Sequence, residues 1–225
     1  KDGVLIFHGN DPVSKEITKS TKAKCIDADV CKSPELLVPG NHMRENAALV
    51  LALAKELKIP MNLAEKSIAQ YHGSWRRMEY KCQLKEGIDL FDDYAHHPIE
   101  IRATLQAFRE RFPKRRIVCA YQPHTHERTF TLWKEFTSAF FDADLVLFFD
   151  VYDARPHCEG HGAVDMRKFT TEVTQGSKVI AIYGGNLSHA PSVLQQHCKN
   201  GDILITMGAG DITNVATTLF KSGGI

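Results

Sequence analysis

No C-x-x-C pair occurs among the six cysteines of this chain, Cys25, Cys31, Cys82, Cys119, Cys158 and Cys198. Scattered singles of this kind argue against a zinc site or a disulfide framework and are the usage of reduced thiols. Long apolar runs are missing too. Stretches such as AALVLALA from Ala47 fall far short of the roughly 18 residues a bilayer-spanning helix needs, and the first residues carry no signal-peptide pattern; the chain is read as cytoplasmic. Net charge is nearly absent, +1 from 28 Lys and Arg against 27 Asp and Glu. Nucleic acid and anionic membranes call for a concentrated basic face, and none is present. There is no internal repeat, no low-complexity tract and no Gly-Lys pair, so these residues hold no G-x-x-x-x-G-K-[ST] phosphate loop.

What remains is an ordinary globular composition, 43% hydrophobic and 24% charged over 225 residues, near the size at which single domains begin to split. The first segment offers one buried-strand candidate, Val4 to Phe7, in a polar surround that the sequence does not place. After a Pro39-Gly40 turn, Asn46 to Lys58 reads as a helix with Leu49, Val50, Leu53 and Leu57 available for burial. A second helix is expected over Leu63 to Tyr71, and a break at His72-Gly73. From Arg77 the pattern becomes a regular alternation. Met78 to Leu84 and Ile88 to Phe91 form a hairpin around Lys85-Glu86-Gly87. A helix from Pro98 buries Ile101, Leu105, Phe108 and Phe112, and another, Arg128 to Phe141, buries Phe130, Trp133, Phe136 and Phe140. Strands are expected at 116–121, 143–151, 179–183 and 203–207, with helices at 166–174, 190–198 and 212–220 between and after them. Strands alternating with helices at this spacing predict an α/β fold of Rossmann-like kind, a mostly parallel sheet covered by helices on both faces.

Polar clusters follow the strands, and ligands of open α/β sheets bind at strand carboxyl ends. The first cluster is Asp92-Asp93-Tyr94-Ala95-His96-His97-Pro98. Read alone, it could be a polar turn in which Asp93 caps the helix and the histidines are solvated. The second is Gln122-Pro123-His124-Thr125-His126-Glu127-Arg128-Thr129. There Arg128 offers a planar fork of donors suited to a carboxylate or phosphate, and His124 can donate or accept near neutral pH. The third is Asp150-Val151-Tyr152-Asp153-Ala154-Arg155. The fourth, Met207-Gly208-Ala209-Gly210-Asp211-Ile212, is weak as bare physics, since a tight strand-to-helix turn explains it equally well. Upstream lie Gly40-Asn41-His42-Met43-Arg44-Glu45-Asn46 and Trp75-Arg76-Arg77-Met78-Glu79.

In their order and spacing these motifs resemble the Mur ligases, the ATP-dependent enzymes that add amino acids to the peptidoglycan precursor, and among them the alanine-adding branch. The resemblance implies a boundary, with residues 1–74 as the tail of a central ATP-binding domain and 75–225 as a C-terminal Mur ligase domain. It implies ATP with Mg2+, UDP-N-acetylmuramate and L-alanine as partners, and amide formation through an acyl phosphate. His42 and Asn46 would contact adenine, Arg77 the phosphates, Asp93 the ribose, and Tyr94 the nucleotide or amino-acid pocket. His96, His124 and Arg128 would hold alanine and the developing charge. Asn46 has an alternative as a helix-start residue, and Arg76 reads as a solvated neighbour of Arg77. Two departures stand out: Met43 replaces an asparagine, and Thr125 follows His124 where many members carry a second arginine. A histidine metal site, from His96-His97, His124 with His126 or His157 with His161, is disfavoured because adjacent histidines in an extended segment point apart. Magnesium held mainly by phosphate oxygens suits the chemistry better. Without a phosphate loop or sugar-binding portion, the 225 residues resemble a fragment or truncated relative, inactive alone. Two other readings stay open, a sister ligase that recycles murein peptides and a non-catalytic nucleotide-binding remnant.

Overall fold

A computed structural model describes residues 3–152 and 162–222. The chain divides into two compact units, residues 1–73 and 74–225.

In the first unit, β1 (Val4–Phe7) and β2 (Lys24–Asp27) pair in parallel, joined by α1 (Pro12–Ser20). Asp11 caps α1 by accepting from the backbone N–H groups of Val13 and Ser14. Neither α1 nor β2 was legible in a segment of such mixed polarity. The helices α2 (Asn41–Glu56) and α3 (Met61–Ala69) follow. The face expected of α2 is corrected here. Its buried residues are Ala47, Ala48, Leu51, Ala52 and Ala54, while Val50, Leu53 and Leu57 are exposed. Ala48 and Ala52 pack with Ala28, and Ile6, Ile26 and Leu49 close around them. Small side chains let the helix approach closely, which rotates the branched ones outward.

The second unit is a six-stranded sheet in the order β3-β4-β8-β5-β6-β7. Its strands are β3 (Glu79–Gln83), β4 (Asp89–Asp93), β5 (Ile117–Tyr121), β6 (Leu145–Phe148), β7 (Ile180–Tyr183) and β8 (Ile203–Met207). Among the described strands only β3 runs antiparallel to its neighbour, through the hairpin at Lys85–Gly87. Central strands β5, β6 and β8 are buried at every residue, as parallel strands covered on both faces must be. On one face α4 (Pro98–Arg111), α6 (Trp133–Thr137) and α7 (Met166–Ser177) pack Ile101, Leu105, Phe108, Phe136 and Phe169 into one core. On the other, α8 (Ala190–His197) and α9 (Ile212–Ser222) pack Leu194, Ile212, Val215 and Leu219 into a second.

The helix expected from Arg128 to Phe141 is two short helices, α5 (His126–Thr131) and α6, separated at Leu132. The break seats Phe136 and Phe140 in the core and leaves Phe130 exposed. The sheet order has a functional consequence. The last strand, β8, lies between β4 and β5. Its helix leaves on the α8–α9 face, whereas α4 leaves β4 on the opposite face. Neighbouring strands whose helices diverge open a crevice at their carboxyl ends, and the first, second and fourth clusters converge there.

Candidate functional site

Arg76 organises this rim. It is 3% exposed; its Nε donates to Asp92 Oδ2 at 2.9 Å and its guanidinium also donates to the carbonyl of Gly208. Asp92, fully buried, accepts in addition from Thr206 Oγ1 at 2.7 Å and Thr213 Oγ1 at 2.8 Å. One ion pair thus ties the entry to β3, the end of β4, the end of β8 and the start of α9. The expectation that Arg76 is merely solvated is overturned. Two acidic residues ending a buried strand require partners, because an unpaired buried charge is prohibitive. That was the available signal. Arg77 is the exposed member of the pair. It stands between two left-handed residues, Arg76 at φ 53° and Met78 at φ 48°, so the turn lifts its side chain away from the sheet.

Asp93 is also buried, at 1% exposure. Its carboxylate accepts from the N–H groups of Met78 at 2.7 Å and Ala95 at 2.8 Å, with Thr104 Oγ1 at 3.5 Å. Adjacent aspartates on β4 thus grip the 76–78 turn from opposite sides of the strand end. Asp93 does not cap α4. That position belongs to His97, in a capping box with Glu100 and with Pro98 as the first helical residue. Burial pushes the Asp93 carboxyl up to about 6, against the pull of the Met78 and Ala95 N–H groups and of the Arg77 charge. The native state therefore keeps a proton that the unfolded chain releases near pH 4. The stabilisation this gives is complete below about pH 4 and is lost as pH rises through 6, a term on the order of 2 to 3 kcal/mol. Urea unfolding of Asp93→Asn is expected to show a flatter change in stability between pH 4.5 and 7 than the parent chain. Identical pH slopes would refute the assignment.

A series of rings crosses the crevice. The Tyr94 ring lies 5.1 Å from the Arg76 guanidinium and 5.8 Å from that of Arg77. Tyr94 and His96 are 5.2 Å apart, His96 and His124 5.7 Å, and His124 and Tyr152 5.7 Å at a near-parallel 25°. Nδ1 of His96 lies 3.0 Å from the Tyr94 carbonyl and 3.5 Å from Glu100 Oε2. Nδ1 of His124 lies 3.3 Å from Arg128 Nη1. Glu100 accepts from the N–H groups of His96 and His97. Burial pushes its carboxyl up, but those two bonds and the Arg77 charge outweigh it and hold the group below its ordinary range.

Thr125 shapes the second loop. At φ 65° and ψ 138° it occupies backbone space that threonine rarely adopts. Its N–H donates to the Tyr152 carbonyl at 3.0 Å, and its Oγ1 accepts from the Arg128 N–H at 3.4 Å. Tyr152 N–H returns to the Pro123 carbonyl at 2.8 Å. Gln122 is buried and accepts from the N–H of Ile212 at 3.0 Å, which locks the second loop to α9. His126 accepts from the N–H of Val164 at 3.1 Å. The Met207–Ile212 turn is the tight strand-to-helix connection its glycines suggested. A side chain at Gly210 would meet Tyr152 at 2.5 Å.

His96, His124, Arg128 and Tyr94 are therefore brought together, with Arg77 beyond Tyr94. His42 and Asn46 lie on α2 in the first unit. Asn46 is an exposed residue in the sixth position of that helix; the helix starts after Gly40, so its alternative as a helix-start residue fails. Asp153, Ala154, Arg155, His157 and His161 lie outside the described residues. Among the described residues no group of three or more His, Cys, Asp or Glu is placed to hold a metal ion, and no helix is long and apolar enough to cross a membrane.

The family described as "Mur ligase, glutamate ligase domain" matches residues 76–210. The UDP-N-acetylmuramate–L-alanine ligase of Trichlorobacter lovleyi is 38% identical over 184 residues, 82% of this chain and 40% of that protein. The ligase of the same name from Clostridium tetani is 32% identical over 229 residues, 98% of this chain and 49% of that protein. Among solved structures, the UDP-N-acetylmuramate-alanine ligase of Thermotoga maritima superimposes with a TM-score of 0.67 at 27% identity, covering 83% of this chain and 39% of that one. This chain thus spans 40% and 49% of the length of these two curated relatives.

Proposed function

This chain belongs to the Mur ligase family, and from that premise we propose that it is the part of an ATP-dependent ligase that holds the amino acid and one side of the nucleotide, joining L-alanine to UDP-N-acetylmuramate. The observation that carries the reading is the convergence of His96, His124 and Arg128, within ring and hydrogen-bond contact, at the switch point between β4, β8 and β5. ATP phosphorylates the lactyl carboxylate of the sugar, and the alanine amine attacks the resulting acyl phosphate, releasing phosphate. Arg128 receives the alanine carboxylate or the departing phosphate through its planar fork. Arg77, exposed and held by a fixed turn, meets ATP phosphate charge, and Tyr94 lines the nucleotide side. His42 and Asn46 on the first unit serve adenine. Asp93 fits a supporting role better than the ribose contact, since its carboxylate already accepts from Met78 and Ala95. Residues 1–74 read as the tail of a central ATP-binding domain. Magnesium would be carried on the ATP phosphates, consistent with its preference for phosphate oxygens and few carboxylates.

The relatives named UDP-N-acetylmuramate–L-alanine ligase, 38% and 32% identical, favour alanine over a murein peptide as acceptor. Calorimetric titration of Mg-ATP tests the nucleotide half of the reading. Weak binding by the parent chain that Arg77→Ala reduces at least tenfold is expected, at unchanged thermal stability because Arg77 is exposed. Binding indifferent to Arg77→Ala would remove that residue from the site. No binding to either chain would favour a non-catalytic remnant.

A further inference from the structure

The ring nitrogens of the two site histidines have partners of opposite kind. A guanidinium has only donors to offer. Nδ1 of His124, 3.3 Å from Arg128 Nη1, must therefore present a lone pair, and the ring is neutral with its hydrogen on Nε2. The partners of His96 Nδ1 are the Tyr94 carbonyl at 3.0 Å and the Glu100 carboxylate at 3.5 Å, and both can only accept. Nδ1 of His96 therefore carries the hydrogen, and the lone pair of the neutral ring is on Nε2. The ring centroids are 5.7 Å apart. Two adjacent imidazoles are held as opposite tautomers.

Resting on the ligase reading above, we propose that His96 Nε2 is the general base that deprotonates the incoming α-ammonium group. An amino acid reaches the site protonated on nitrogen and is not a nucleophile in that form. One proton passes from the ammonium to His96 Nε2. The freed nitrogen pair forms the C–N bond to the acyl carbon, and the bond from that carbon to the phosphoryl oxygen breaks with its electrons on phosphate. The second nitrogen proton leaves with the phosphate, so the products are amide, hydrogen phosphate and protonated His96. Glu100 orients the base and supports its positive charge, the arrangement by which a carboxylate fixes a catalytic imidazole. The charged and titratable groups around His96 are Tyr94 on its own loop, Glu100 on α4, and His124 with Arg128 from the β5 loop; Arg77 lies across Tyr94.

Nitrogen-15 spectra of histidine-labelled chain at pH 8 test the tautomers directly, with His96→Gln and His124→Gln assigning the signals. Hydrogen on Nδ1 of His96 and on Nε2 of His124 is expected; the same tautomer in both rings overturns the proposal. In a full-length ligase carrying these residues, His96→Gln is expected to lower kcat/KM for L-alanine by roughly 10²- to 10⁴-fold. It should spare hydroxylamine, which is already uncharged at pH 7 and forms the hydroxamate without a base. Equal losses with both acceptors would make His96 a binding or structural residue and overturn the base role alone. A folded parent enzyme that shows both tautomers yet forms no amide would overturn the ligase reading itself.

Discussion

Arg76→Ala is expected to cost about 3 to 5 kcal/mol of stability, because it strands Asp92 as an uncompensated charge in a fully buried position. The two threonine hydroxyls that remain, Thr206 and Thr213, are neutral donors and cannot replace a guanidinium. The loss also frees the Gly208 carbonyl and the Arg76 side of the Tyr94 ring. Arg77→Ala, one residue away and exposed, should stay within about 0.5 kcal/mol of the parent. Removing both charges together, Arg76→Met with Asp92→Leu, should recover much of the loss, since replacing a whole buried pair by apolar groups is often nearly neutral. Urea unfolding of the four chains measures this. A loss below about 1 kcal/mol for Arg76→Ala would show that the pair does not hold the rim together.

The second large effect lies on the facing strand. Gly208 adopts φ 143°, and a Cβ there would sit 2.5 Å from the Gln122 carbonyl oxygen. Backbone strain of about 1 to 3 kcal/mol adds to a comparable cost for forcing β8 from β5. Gly208→Ala should therefore lose roughly 3 kcal/mol or more. Gly201 makes the control. It also has positive φ, 79°, but nothing lies within 4 Å of its added Cβ, so Gly201→Ala should cost only the strain. Equal losses at the two positions would mean that close approach at the rim is not what Gly208 provides.

How far the sequence disclosed this molecule depended on where each residue's partners lie. Period-two and period-3.6 patterns located the described strands and helices of the second unit to within a few residues, apart from α5 and α6, which read as one helix, because the strands of a sheet covered on both faces are apolar throughout. Strand order was illegible, since β4 and β8 pair across more than a hundred residues and nothing local records the choice. The same reason hid Arg76. Its partners are Asp92 and Gly208, so a sequence reading sees only two adjacent arginines and favours the wrong one for solvent. In α2 the leucines were conspicuous and the alanines decisive, as packing distance rather than hydrophobicity selected the inner face. The break at Leu132 escaped notice because Phe130, Trp133, Phe136 and Phe140 keep helical spacing across it. That His96, His124 and Arg128 share one rim was legible, because each follows a strand end, whereas the tautomers of the two histidines depend on the carbonyl, carboxylate and guanidinium that only folding brings beside them.

The proposed function makes this chain the amino-acid half of an alanine-adding ligase site. The most direct measurement is ATP-dependent phosphate release by a full-length ligase carrying these 225 residues, supplied with UDP-N-acetylmuramate and either L-alanine or a murein tripeptide. Release that requires L-alanine, and that Arg128→Ala lowers by roughly 10²-fold or more, is the expected result. A folded enzyme that binds ATP yet releases no phosphate in response to alanine, or that prefers the tripeptide, would contradict the account.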